Sequence, residues 1–143
     1  MRYRTPPATR PRPTIRPGVA ATELALLLPF LCFLFVVAVD FSRIFYYDLT
    51  VANCARNGGL YALQDPTKAL DTAGITNAAQ QDAGNLNLTQ LTVSSKTDSP
   101  TTPTTVSVTV TYPFNTITNY PGIPSTWTLS RTLTMKVSPL LPN

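Results

Sequence analysis

Two residues near the N-terminus have the types and spacing for a chemical event: Gly18 and, five positions on, Glu23. Glu23 is the only charged residue between Gly18 and Asp40. It heads the uncharged apolar run Leu24-Ala25-Leu26-Leu27-Leu28-Pro29-Phe30, which continues to Val39. A carboxylate at the centre of a membrane helix costs about 2.5–3.5 kcal/mol, and less near its end. Glu23 therefore needs a counter-charge. Peptide-bond cleavage after Gly18 would supply one. The new Val19 ammonium would lie one helical turn from Glu23, and the two charges could neutralise each other within a helix or between neighbours.

The rest of the chain offers little for catalysis. There is no histidine, which removes the commonest general base and metal ligand. Neither cysteine has a CxxC partner. The carboxylates beyond the apolar run (Asp40, Asp48, Asp65, Asp71, Asp82 and Asp98) are scattered and not paired. Asn57-Gly58-Gly59 lacks the lysine and spacing of a phosphate loop. Asn87-Leu88-Thr89 matches a glycosylation acceptor by a pattern common by chance, and it reads as loop or strand edge. Arg43 and Arg56 read as helix-surface charges pairing with nearby aspartates. No enzyme activity, cofactor, metal site or small-molecule substrate is expected.

Cys32 and Cys54 would stand about 33 Å apart on one continuous helix, too far for a disulfide within the chain. They read as buried thiols, with an intersubunit bridge through Cys54 as the alternative.

The elements that must position Gly18 and Glu23 follow from composition. The 143 residues carry a formal charge of +4, but the basicity belongs to the leader. Residues 1–18 hold five arginines (Arg2, Arg4, Arg10, Arg12, Arg16) and five prolines with no acid. Such a segment stays extended and solvated. The remainder has six basic and seven acidic side chains, so no basic face for nucleic acid is expected. The five arginines place the N-terminus in the cytoplasm and the C-terminal part outside it. Residues 19–39 give about 31 Å of helix, enough to span a bilayer. Pro29 removes one backbone hydrogen bond and should kink or loosen that helix.

Helical periodicity continues from Asp40 to Leu63. Phe41, Ile44, Phe45, Ala52, Ala55, Gly59, Ala62 and Leu63 share one stripe, interrupted by Asp48. Ala52, Ala55 and Gly59 make the stripe shallow, so another element could approach closely. The helix should end at Asp65-Pro66. A second, Ala-rich helix is expected over residues 68–83, capped by Thr67 or Asp65 and stopped by Gly84-Asn85.

Beyond it the chain is strand-like, with 15 threonines between Thr89 and Thr134, a residue suited to half-exposed sheet. Strands are expected over residues 91–96, 105–113 and 126–137. Val106, Val108, Val110 and Tyr112 alternate with polar residues. So do Trp127, Leu129, Leu133, Met135 and Val137, with Arg131 breaking the inward row. Residues 99–103 form a turn, and residues 113–124 a longer loop turning at Tyr120-Pro121-Gly122. The expected fold class is α+β: a long N-terminal helix, a short helix and an antiparallel sheet of about three strands.

The Gly18-to-Glu23 arrangement resembles the processing site of type IV prepilins. The run from Val19 to Pro29 resembles the start of the TadE-like proteins, minor pilins (pseudopilins) of the tight-adherence, or Flp, pilus system. The likeness continues through Asp40-Phe41-Ser42-Arg43 and through Asn53-Cys54-Ala55-Arg56-Asn57-Gly58-Gly59-Leu60-Tyr61-Ala62. It departs at Leu24, Ser42, Cys54 and Gly59 and leaves Gly18 and Glu23 intact.

The resemblance implies a single-pass protein of the bacterial inner membrane, with residues 1–18 as leader, 19–39 as span and 40–143 as extracytoplasmic head. It implies cleavage between Gly18 and Val19 by a prepilin peptidase, and assembly with other pilins and platform proteins through the Val19–Glu23 pair. Two other readings compete. One is a membrane-tethered binding module with a Thr-rich sheet. The other is a secreted domain whose signal is removed at Val36-Val37-Ala38.

Overall fold

A computed structural model of the chain describes Met1, residues 18–118, Gly122 and residues 124–139. The leader residues 2–17 and most of the turn at Tyr120-Pro121-Gly122 lie outside the described residues. The architecture is α+β: three helices, α1 (Gly18–Ala62), α2 (Pro66–Leu70) and α3 (Thr72–Gln80), then three strands, β1 (Thr92–Thr97), β2 (Thr105–Asn115) and β3 (Thr126–Lys136). The chain divides into two compact units, Met1–Phe35 and Val36–Asn143. The first contributes the opening turns of α1. The second, the head, holds the rest of α1 and all other elements.

α1 runs 45 residues and passes through Pro29 without interruption. It is long and apolar enough to cross a membrane. Its end is set locally. The Leu63 amide still donates to Gly59 O (2.9 Å), Gln64 donates to Tyr61 O, and the Asp65-Pro66 pair then opens α2. Asp65 caps that helix, accepting from the Lys68 amide at 2.8 Å, and proline takes its first position, where a missing N–H costs nothing.

The single helix expected over residues 68–83 is instead two. Asp71 leaves the helical conformation (φ −79°, ψ 85°) and its carboxylate accepts from the Gly74 amide, starting α3 afresh. A short acidic side chain competes for nearby backbone N–H groups and so favours a cap over a helix interior. Asp71 also accepts from the Tyr61 hydroxyl at 2.8 Å, which ties the break to α1. The Gly74 amide and the Tyr61 hydroxyl hold the Asp71 carboxyl below its ordinary range. The same hydrogen bond pushes the Tyr61 phenol up.

The sheet is an antiparallel meander in the order β1-β2-β3. In central β2 the period-2 pattern is complete: Val106, Val108, Val110, Tyr112 and Phe114 are buried and the intervening residues are only partly covered. Val106, Val108, Val110 and Tyr112 join Val51, Cys54, Ala55 and Ala62 of α1 and Ile75 and Ala79 of α3 in one core. Cross-strand hydroxyl pairs line the opposite face: Ser107–Thr134 and Thr109–Thr132 at 2.8 Å, and Thr111–Ser130 at 3.3 Å.

The β1–β2 hairpin closes on Asp98. Its carboxylate accepts from the amides of Thr104 and Thr105 and from the Thr104 hydroxyl, and these donors hold its pKa far below the ordinary carboxylate range.

Candidate assembly site

Gly18 opens α1, and its φ is not positive. Among the described residues a Cβ built there would meet nothing within 4 Å, so no described packing requires glycine at this position. Val19 and Glu23 are exposed on the first turns of the helix. Among the described residues Glu23 makes no hydrogen bond or ion pair. Val19 nitrogen is an amide in the uncut chain, so the Val19–Glu23 pair is not made in this state. The Thr22 hydroxyl donates back to Val19 O at 2.8 Å. The apolar residues that follow, from Leu24 to Phe35, are exposed.

At the other end of the uncharged run the chemistry changes. Asp40, its first charge, is only 2% exposed. Its carboxylate accepts from the Ile117 amide and the Thr118 hydroxyl, both at 3.0 Å, and pairs with Arg43 at 3.3 Å. The Arg43 guanidinium also lies over the rings of Phe114 (5.2 Å) and Tyr47 (5.8 Å), close enough for cation–π attraction. Asp40 thus fastens the β2–β3 loop to α1 across 77 residues of sequence. Sequence reasoning treated it as one of several scattered carboxylates. A signal was present in its place at the end of the apolar run, three residues before an arginine.

The helix packing face needs correction. Ala55 and Gly59 are buried, and Ile44 and Ala52 are partly buried, but Phe41 and Phe45 point outward at 57% and 72% exposure. The covered side of α1 is Thr50, Val51, Cys54, Ala55, Gly58, Gly59 and Ala62. Small residues decide this, because they let the backbone approach the sheet. A Cβ on Gly59 would meet Leu133 Cδ2 at 3.0 Å. One on Gly58 would meet Val108 Cγ1 at 3.2 Å and Ala79 Cβ at 3.3 Å. Large aromatic rings at 41 and 45 are left to the outer side.

Two residues that spoiled their patterns explain each other. Asp48 on the helix and Arg131 on β3 form a two-pronged ion pair, with Arg131 Nε donating to Asp48 Oδ1 at 2.9 Å and Nη2 to Oδ2. Asp48 raises the Arg131 pKa.

Both cysteines are free thiols, and only Cys54 is buried; Cys32 is exposed. Burial, reinforced by the charge of Asp82, pushes the Cys54 thiol up, and its side chain lies in the core of the head. Five of the six head aspartates are therefore occupied with caps, loops and ion pairs. Among the described residues no three acidic, cysteine or histidine side chains come together. A depression of about 140 Å³ beside Arg43, Tyr47 and Phe114 is well under the roughly 300–1,000 Å³ of small-molecule sites.

Comparison with curated proteins and with solved structures gives no match. Comparison with family models matches residues 18–59 to the family described as TadE-like protein. The match begins at Gly18 and ends at Gly59, the glycine under Leu133, so it takes in the Gly18–Glu23 pair, the apolar run and the Asp40–Arg43 pair. The sheet lies outside it. The first helix of this chain, from Gly18 through Gly59, is thus similar to the segment that the TadE-like protein family model describes.

Proposed function

We propose that the chain is a minor pilin of the tight-adherence (Flp) system. It is cut between Gly18 and Val19 by a prepilin peptidase and assembles through its N-terminal helix with other pilins and platform proteins. In this reading residues 1–18 are the cytoplasmic leader, 19–39 cross the inner membrane and residues 40–143 stand outside it. The observation that carries it is Gly18. Gly18 opens α1, where glycine carries little of the cost it has in a helix interior, and among the described residues a Cβ there would meet nothing within 4 Å, so no described packing calls for it. A demand from outside the chain, such as a peptidase that needs a bare backbone, accounts for it. Glu23 then sets the stagger between subunits. Alone in lipid the carboxylate is costly, and beside a Val19 ammonium it is neutralised, so wrong alignments are penalised.

The test is the N-terminal sequence of the mature protein. Valine-alanine-alanine-threonine is expected; a start at Val39 favours the secreted domain, and retention of Met1 removes processing altogether. Glu23→Ala is expected to leave cleavage largely intact and impair assembly, and normal pili from that variant would refute the stagger role.

A membrane-tethered binding module is the second reading, favoured by the hydroxyl-lined outer face of the sheet. Single cysteines along residues 20–35 separate the two, because a tether gives no ordered cross-links to neighbours.

A further inference from the structure

We propose that the rim of the head around Asp40 is a lipid-docking surface, seated in the outer membrane–water interface. The proposal rests on α1 crossing the bilayer and does not depend on cleavage or on pilus assembly.

The uncharged run reaches Val39, but the head begins before it ends. Val36, Val37 and Val39 are already half-covered and belong to the head's compact unit. Gly18–Phe35 supplies 18 residues, about 27 Å of helix, against a hydrocarbon core of about 30 Å. The bilayer must therefore reach the level at which the head starts.

What the head presents at that level is apolar and aromatic. Asp40 holds the Ile117 amide at 3.0 Å, yet the Ile117 side chain is 65% exposed. Phe41, Phe45 and Tyr46 follow Asp40 on α1, all exposed. Trp127 pairs with Phe114, whose ring lies 5.2 Å from the Arg43 guanidinium. Trp127 remains 47% exposed while its indole N–H donates to Pro124 O.

Bulky exposed side chains gathered at one level call for an occupant. Amphipathic aromatic residues at the end of a span are characteristic of the headgroup layer. Burying the Asp40 carboxylate within the head suits the same location, because its charge is satisfied by protein donors and not offered to lipid. The interfacial layer of the bilayer is the occupant that continuity with the span selects.

Trp127 is the one tryptophan in the chain, so the native protein carries its own depth probe. The full-length chain would be reconstituted in phosphatidylcholine vesicles at fewer than one copy per vesicle. Emission would be read with lipid brominated on the acyl chains near the headgroup and with acrylamide in the water. Flotation with the vesicles reports the span separately. Brominated lipid is expected to quench Trp127, and also a tryptophan placed by Ile117→Trp in a Trp127→Phe background, with little effect of acrylamide. Thr101→Trp in the same background reports on the far hairpin, about 30 Å along β2 from Phe114 at 3.3 Å per residue. It should respond to acrylamide alone.

The proposal is overturned if Trp127 and position 117 respond as position 101 does, or if both are shielded from lipid and water alike. It is also overturned if lipid quenching appears only at many copies per vesicle, which would assign the rim to a second copy of the chain. A protein that fails to float overturns it together with the spanning reading.

Discussion

Replacing Asp40 by alanine removes a carboxylate that joins α1 to the β2–β3 loop. Among the described residues, the Ile117 amide, the Thr118 hydroxyl and the Arg43 guanidinium lose their acceptor. Taking one partner from a buried ion pair costs about 3–5 kcal/mol. Hydrogen bonds to charged groups are worth about 1.5–3 kcal/mol each. The Arg43 side chain is 34% exposed and keeps its place over Phe114, and water can reach the stranded loop donors. This partial exposure brings the cost to the bottom of that range or just below it, about 2–3 kcal/mol for Asp40→Ala. Asp40→Asn keeps an oxygen for the Ile117 amide but loses the charge, and should cost about 1–2 kcal/mol. For a domain of this size each kcal/mol moves the melting temperature by about 4–8 °C. Asp40→Ala should therefore lower it by about 10–20 °C, with Asp40→Asn between it and the wild type. The assay is thermal unfolding of the full chain in detergent, followed by near-ultraviolet dichroism and Trp127 emission, with far-ultraviolet dichroism showing that α1 is retained. A fall of less than about 3 °C for the alanine variant would refute the reasoning, and Ile117 would lose its physical tie to the end of the apolar run.

Two further outcomes follow from the packing of α1. Gly58→Ala should destabilise the head by about 1–3 kcal/mol, because the new methyl would sit 3.2 Å from Val108 and 3.3 Å from both Ala79 and the Ile75 carbonyl. Gly18→Ala, which meets open space, should leave the melt unchanged, and equal melts for the two variants would contradict the close approach. Cys54 should resist maleimide at pH 8 in the folded chain, since burial and then Asp82 hold its thiol above the ordinary value of 9.0. A thiol whose folded pKa is raised contributes its full stabilisation below the unfolded value and loses it as pH rises from there through the folded pKa. Labelling of Cys54 in Cys32→Ser as fast as in the denatured chain would show the thiol to be accessible.

Much of this molecule is written in local order along the chain. The uncharged run between Glu23 and Asp40 dictates an apolar helix whatever surrounds it, because every backbone group is satisfied within the segment. Strict alternation from Val106 to Tyr112 dictates a one-sided strand, since successive side chains point to opposite faces. The Gly18–Glu23 spacing is likewise a property of the chain, and among the described residues no packing contact gives the reason for that glycine.

Periodicity alone does not say which side of α1 is covered. Phe41 and Phe45 share the helical stripe with Ala55 and Gly59, yet only the small residues admit the sheet, and that choice depends on the shape of a surface built 50 to 80 residues later. The same holds for charge. Asp48 and Arg131 each break a pattern when read singly, and they make sense only once the strand register sets them side by side. Asp40 finds its donors 77 and 78 residues away. Hydrogen bonding and close packing are short-ranged, so partners distant in sequence are decided by the three-dimensional arrangement that brings them within a few ångströms.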